Sequence, residues 1–175
     1  MTLPTIPLNI EGWYLRAWRE ADAPALAKYA NNKNVWRNMS DTFPHPYTLE
    51  IAQHWVTRGH IDFGGDNWAI DFRGEAVGGC GVIQEKGPWR CNSEIGYWLG
   101  EPFWDRGVVT HVARVLTEYA FSLPDVTRVY APVHAYNPAS MRVLEKNGFT
   151  REALLRKNAF KNGEVIDRVC WSKIR

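Results

Sequence analysis

Apolar and polar residues alternate through Gly12-Trp13-Tyr14-Leu15-Arg16-Ala17-Trp18 in the manner of a strand, and from Ala21 to Tyr29 the spacing becomes helical through Ala25, Leu26 and Tyr29. The polar run Asn31-Asn32-Lys33-Asn34 ends that helix. A loop rich in aromatic residues follows, carrying Met39, Phe43, His45 and Tyr47 and stiffened by Pro44 and Pro46. Thr48 then caps a helix whose face includes Ile51, Trp55 and Val56. Three strands are predicted next, over Trp68–Phe72, Ala76–Gln84 and Ser93–Leu99, with turns at Arg73-Gly74-Glu75 and around Lys86-Gly87-Pro88. They read as an antiparallel meander.

The longest helical period begins after Gly107. Val108, Val112, Leu116 and Ala120 share one face, flanked by Val109, Val115 and Tyr119, and Pro124 prevents continuation. Val126–Ala135 makes a further strand. Asn137-Pro138 is a strong helix start, because asparagine caps free amides and proline fits the first helical position, and Gly148 supplies the stop. Two closing strands, Phe149–Phe160 and Val165–Ile174, are joined by Lys161-Asn162-Gly163-Glu164, where Asn-Gly is a hairpin signal. The predicted order is β-α-α-β-β-β-α-β-α-β-β, a mixed α/β (α+β) chain of about seven strands and about four helices.

Composition adds limits. With 175 residues, 45% of them hydrophobic and 23% charged, the chain suits one globular domain spanning 1–175. A net charge of +2, dispersed without a basic run, disfavours nucleic acid as the main ligand. Cys80, Cys91 and Cys170 lack metal-ligand spacing and suit reduced thiols in a cytoplasmic protein; no metal is expected. Met1–Ile10 has no basic region followed by an apolar run, and no segment approaches the ~20 apolar residues of a membrane span, so neither export nor insertion is expected. Nine tryptophans are many for this length; most are expected in packing, and such rigid amphipathic surface also lines ligand clefts.

The turn Trp104-Asp105-Arg106-Gly107-Val108-Val109-Thr110 lies between a strand and the long helix, and reads as an anion site. The first amides of a helix have no intrahelical acceptor, the peptide dipoles put partial positive charge there, and glycine lets the backbone come close to a phosphate.

Three segments in this order, Glu94-Ile95-Gly96-Tyr97-Trp98-Leu99, Trp104 to Thr110, and Asn137-Pro138-Ala139-Ser140 through Asn147-Gly148-Phe149, resemble the GNAT N-acetyltransferase superfamily, in its RimJ/RimL-type branch. The resemblance runs from about Gly12 onward. It implies a mostly antiparallel, V-splayed sheet flanked by helices, with acetyl-CoA wedged where the fourth and fifth strands part. Main-chain groups of Tyr97, Trp98 and Leu99 would then pair with the pantetheine arm, amides of Arg106, Gly107, Val108, Val109 and Thr110 would hold the pyrophosphate, and Asn137 and Ser140 would meet the cofactor at the helix start. Two positions depart from the usual turn: Asp105 stands where glycine is common, and Val109 where alanine or glycine is. Asp105 is expected to point outward.

Acetyl transfer to an amine needs a neutral nucleophile, a polarised thioester and a proton for the departing thiolate. Under the resemblance Glu94 is the first candidate base and His134 the second. The tyrosine that many superfamily members use to protonate sulfur is replaced at the matching position by Leu144, leaving Ser140 as candidate acid. Trp36, Phe43, His45 and Tyr47 would line the acceptor side. The resemblance implies a primary amine as acceptor, either a protein N-terminus or a small amine, and a monomer or homodimer is expected. The altered turn and absent tyrosine leave open a catalytically weak acyl-CoA-binding regulator or an interaction module of the same fold.

Overall fold

The computed structural model describes residues 3–175; Met1 and Thr2, the start of the stretch expected to carry no export signal, lie outside them. Its centre is an eight-stranded sheet in the order β1-β2-β3-β4-β5-β6-β8-β7. The strands are β1 (Ile6–Pro7), β2 (Trp13–Arg16), β3 (Asp66–Phe72), β4 (Glu75–Gln84), β5 (Asn92–Leu99), β6 (Arg128–His134), β7 (Thr150–Lys161) and β8 (Glu164–Ile174). The helices are α1 (Ala23–Ala30), α2 (Lys33–Trp36), α3 (Leu49–His54), α4 (His60–Asp62), α5 (Val108–Ser122) and α6 (Pro138–Lys146), with a wide π-type turn, Trp55–Gly59, joining α3 to α4. No helix among the described residues is long and apolar enough to cross a membrane.

The expected seven strands become eight through β1, two residues paired with β2 through Ile6↔Leu15 and Pro7↔Tyr14. The polar run after α1 does end that helix, but Asn32 then caps a further short one, its Oδ1 accepting from Asn34 N at 2.7 Å and Val35 N at 3.2 Å.

Sheet alternation feeds two apolar layers. Trp68 and Ile70 of β3 join Ile95, Val129 and Val169 beneath α5 and α6, where Val112, Leu116, Ala120 and Leu144 close the main core. Ala69, one residue out of phase, belongs to the opposite layer with Trp18, Leu26, Ala30, Ala52 and Val56, which α1 and α3 cover. That second layer is pinned by a buried ionic cluster. Arg16 donates from Nη1 and Nη2 to Asp22 at 2.7 and 2.8 Å and from Nε to Asp71 at 2.7 Å, tying β2 to the start of α1 and to β3. All three side chains are buried, so none could lose its partners cheaply.

One seam is incomplete. Every neighbouring strand pair is antiparallel except β5 and β6, which run parallel and pair only through Asn92↔Arg128, Ser93↔Val129 and Glu94↔Tyr130. Past Glu94, β5 continues against β4 as far as Leu99, while β6 continues against β8 as far as His134. The two strands therefore part, giving the V expected from the resemblance.

Candidate active site

The parting strands expose main-chain groups that a sheet would otherwise use. Gly100 N donates to Val77 O at 2.8 Å, and Thr127 N and Arg128 N both donate to Cys91 O at 3.0 Å. By the alternation of a β ladder, the main chain of Trp98 and Gly96 then faces β4, and that of Ile95, Tyr97 and Leu99 faces the splay. This narrows the expected trio of Tyr97, Trp98 and Leu99. Trp98 is turned to β4, and the Leu99 carbonyl already accepts from Trp104 Nε1 at 2.7 Å. Tyr97 keeps both of its main-chain groups free for an extended ligand.

The splay opens into a cavity of about 810 Å³ bounded by β5 from Glu94 to Leu99, the turn Trp104–Thr110, the end of β6, and α6 from its start to Lys146. At the turn, Asp105 takes φ 60° and Gly107 φ 73°. Aspartate tolerates this left-handed conformation better than most residues, which is how it occupies a position where glycine is usual. Asp105 is exposed. The amide of Thr110 is engaged by Gly107 O at 3.1 Å, whereas Arg106, Gly107, Val108 and Val109 keep amides without a partner among the described residues. Arg106 directs its guanidinium away from this cradle, onto Pro102 O at 2.9 Å and over the Phe103 ring.

Cationic side chains enter the cavity from a different element, α6, where Arg142 and Lys146 line it one helical turn apart. The sequence reading overlooked them, although their i, i+4 spacing below Asn137-Pro138 was a usable signal. Asn137 caps α6, its Oδ1 accepting from Ser140 N at 3.2 Å. Leu144 lies fully buried in the core and leaves the cavity without a tyrosine at that place.

A tyrosine comes instead from β5. Tyr97 Oη lies 3.0 Å from Ser140 Oγ across the splay. Burial pushes its phenol up to about 12, against the bond to Ser140, so it stays a neutral donor and acceptor. The pair forms a short hydroxyl relay at the mouth of α6.

Glu94 stands half-buried at the last position of β5 that pairs with β6. Burial raises its carboxyl above its ordinary value, the Glu85 carboxylate adds to the rise, and Arg168 opposes it in part. Tyr130 donates to Glu85 at 2.6 Å. His134, at the end of β6, lines the same cavity. Its Nδ1 lies 2.9 Å from Tyr136 Oη, while that hydroxyl donates to Arg37 O at 2.6 Å. With its one proton spent there, Tyr136 can only accept from the imidazole; Nδ1 is therefore protonated and the neutral ring keeps its lone pair on Nε2. Burial lowers the His134 pKa and favours that neutral form.

A second cavity of about 490 Å³ adjoins the first, sharing Met39, Ser40, Phe63, Glu94, Gly96, Tyr97 and Trp98, and reaches into the aromatic layer under α1 and α3. Phe43 and Tyr47 line it, their rings 5.0 Å apart. Trp36 and His45 do not. They stack on each other at 5.6 Å, with Lys161 Nζ 4.1 Å from the Trp36 ring, and so brace the loop from behind. No cluster of His, Cys, Asp or Glu able to hold a metal occurs among the described residues.

A family model for the acetyltransferase (GNAT) domain matches residues 13–150. The chain belongs to this family. It is 27% identical over 178 residues to the uncharacterized N-acetyltransferase p20 of Bacillus licheniformis, covering 96% of each chain. It is 28% identical over 87 residues to the ribosomal-protein-serine acetyltransferase of Escherichia coli, half of this chain and 49% of that one. Among solved structures, RimL, the ribosomal L7/L12 alpha-N-protein acetyltransferase in complex with coenzyme A, superposes with a TM-score of 0.82 at 25% identity, covering 98% of each chain. The RimL-like GNAT fold expected from the motifs is thus the fold found, and the chain is an acetyl-CoA-dependent acyltransferase.

Proposed function

We propose that this chain moves the acetyl group of acetyl-CoA onto a primary amine, a protein N-terminus or a small amine, by direct attack within a ternary complex. The observation that carries this reading is the shared wall from Glu94 to Trp98 between two cavities, one ending in free helix-start amides and the other in an aromatic pocket. A thioester at that wall has an acceptor pocket on its far side.

In this reading the pyrophosphate rests on the amides of Arg106 to Val109, flanked by Arg142 and Lys146, and pantetheine pairs with the free main chain of Tyr97. The amine surrenders its proton to Glu94, directly or through water. Its lone pair forms the C–N bond, the tetrahedral carbon re-forms its carbonyl and expels sulfur, and the thiolate takes the Ser140 hydroxyl proton while the surplus proton left on nitrogen passes back through Tyr97 to Ser140, so that both hydroxyls end neutral. Holding both reactants in line can supply ~7–11 kcal/mol of the barrier, more than either proton step.

Glu94→Gln tests the base. Loss of a general base lowers turnover by ~10²–10⁴-fold. The deficit should be largest at neutral pH, where the amine is mostly protonated, and should shrink as pH rises and free amine appears. An equal loss at every pH assigns Glu94 to positioning, and a pH-dependent defect in His134→Gln alone moves the base to the Nε2 of His134.

A further inference from the structure

The second cavity carries information about the acceptor. Its deep walls are Trp18, Leu26, Phe43, Tyr47, Ile51 and Trp55. Glu94, at the shared wall, is the carboxylate that meets the incoming amine; the other one lining the cavity, Asp62, is exposed and already paired with Arg58 at 3.0 Å. Arg168 lies beside Glu94 on the adjoining cavity, and the remaining titratable groups at the pocket itself are His54, Tyr47, Tyr97 and Cys80, none of them a fixed positive charge or a carboxylate. An acceptor with a second or third ammonium group would leave those charges buried among indoles and aliphatic carbons.

Two donors in the pocket wall have no partner. Trp18 is 8% exposed and its indole Nε1 has no acceptor. Tyr47 is 4% exposed, and its hydroxyl makes no hydrogen bond among the described residues. Burial pushes that phenol up to about 12, so it remains a donor across the range in which enzymes work. Trp18 Nε1 is closed off even from solvent, whereas the Tyr47 hydroxyl is not, so Tyr47 is the donor that a ligand oxygen among these apolar walls would meet.

We infer that the acceptor is a primary amine with one positive charge and an apolar, ring-sized body bearing an ether, carbonyl or phenolic oxygen, seated between Tyr47 and Trp55 with its amine at Glu94. This rests on the acetyl-transfer reading of the same site and selects, within it, against polyamines and against N-termini that begin with a small polar residue.

The test compares 4-methoxyphenethylamine, phenethylamine, spermidine and a serine-initiated hexapeptide as acceptors, following coenzyme A release by the full chain. The methoxy compound should exceed spermidine and the peptide in kcat/KM by at least ~100-fold, and phenethylamine by roughly fivefold, the worth of one hydrogen bond. Tyr47→Phe, checked for folding by thermal melt, should erase that fivefold margin, read as the ratio of kcat/KM for the two phenethylamines within the variant. Spermidine or the peptide used equally well or better overturns the inference and leaves acetyl transfer standing. A margin unchanged in folded Tyr47→Phe overturns the oxygen contact. Coenzyme A release with none of the four, from protein that binds acetyl-CoA, overturns both readings; should the variant not fold, the wild-type ranking decides alone.

Discussion

Gly79 on β4 and Gly96 on β5 belong to neighbouring strands, yet a methyl group added at each should have opposite effects. An ideal Cβ built on Gly79 lies 2.8 Å from Trp98 Nε1 and 3.2 Å from a ring carbon of Trp18, two large side chains that already pack in the second layer. Gly96, paired with Gly81 in the β4–β5 ladder, meets nothing within 4 Å and has no positive φ to strain. Gly79→Ala therefore overpacks, at about 1–3 kcal/mol, whereas Gly96→Ala removes only unfolded-state freedom and should stabilise by about 0.5–1 kcal/mol. For a chain of this size each kcal/mol moves the Tm by about 2–4 °C. Gly79→Ala should then melt lower by about 2–12 °C, and Gly96→Ala higher by about 1–4 °C, in calorimetry without ligand. The empty space beside Gly96 is where both cavities meet, so the stabilised variant should be the impaired enzyme. A methyl there displaces the reacting groups by an amount that can cost ~10–100-fold in kcat/KM, read as coenzyme A release. Gly96→Ala melting below the parent, or releasing coenzyme A at the parental rate, would falsify the placement of the reaction at that wall.

Val108→Pro removes one free amide from the helix start while proline fits the first helical position, so it should weaken acetyl-CoA binding in calorimetric titration more than Val108→Ala, with little change in Tm. Ser140→Ala should lower kcat with an unchanged Kd for acetyl-CoA, because a proton delivered to sulfur is needed only in the transition state; an unchanged kcat reduces Ser140 to its part in the helix start. For His134 the sign follows from a folded pKa below the usual 6.5. The unfolded chain binds more protons there, so stability rises with pH through that window and is lost as pH falls from about 6.5. His134→Gln should flatten this part of the pH–Tm curve, and a curve of unchanged slope refutes the assignment.

The parts of this protein readable from sequence are those encoded by neighbours along the chain. Period-two and helical spacing located seven of the eight strands, and the missed β1 is two residues long, too short to show an alternation. The turn from Trp104 to Thr110 was legible because a helix start is local chemistry, and Asp105 adopts there a left-handed conformation that its short polar side chain tolerates, at the edge of the cavity. The contact between Tyr97 and Ser140 was not legible. It joins positions 43 apart, on elements that face each other only because β5 and β6 separate, and reading Tyr97 as main chain alone hid its side chain. The aromatic loop divided for a similar reason. Composition marked Trp36, Phe43, His45 and Tyr47 alike, but only the fold puts Phe43 and Tyr47 on the cavity and turns Trp36 and His45 to the hairpin tip at Lys161.

The sheet order has a consequence for how this site comes into being on a chain made from its N-terminus. Strands β1 to β5 pair with sequence neighbours and can assemble as they emerge. The far wall of the cavity cannot. β6 is held to β5 by three residue pairs alone, and its other edge belongs to β8, the last strand in the sequence, from Arg128↔Ile174 to His134↔Arg168. Until β8 leaves the ribosome, β6 lacks its main partner and His134 its anchorage. A growing chain thus carries the cofactor turn well before it has a cleft, and competence arrives in one late step.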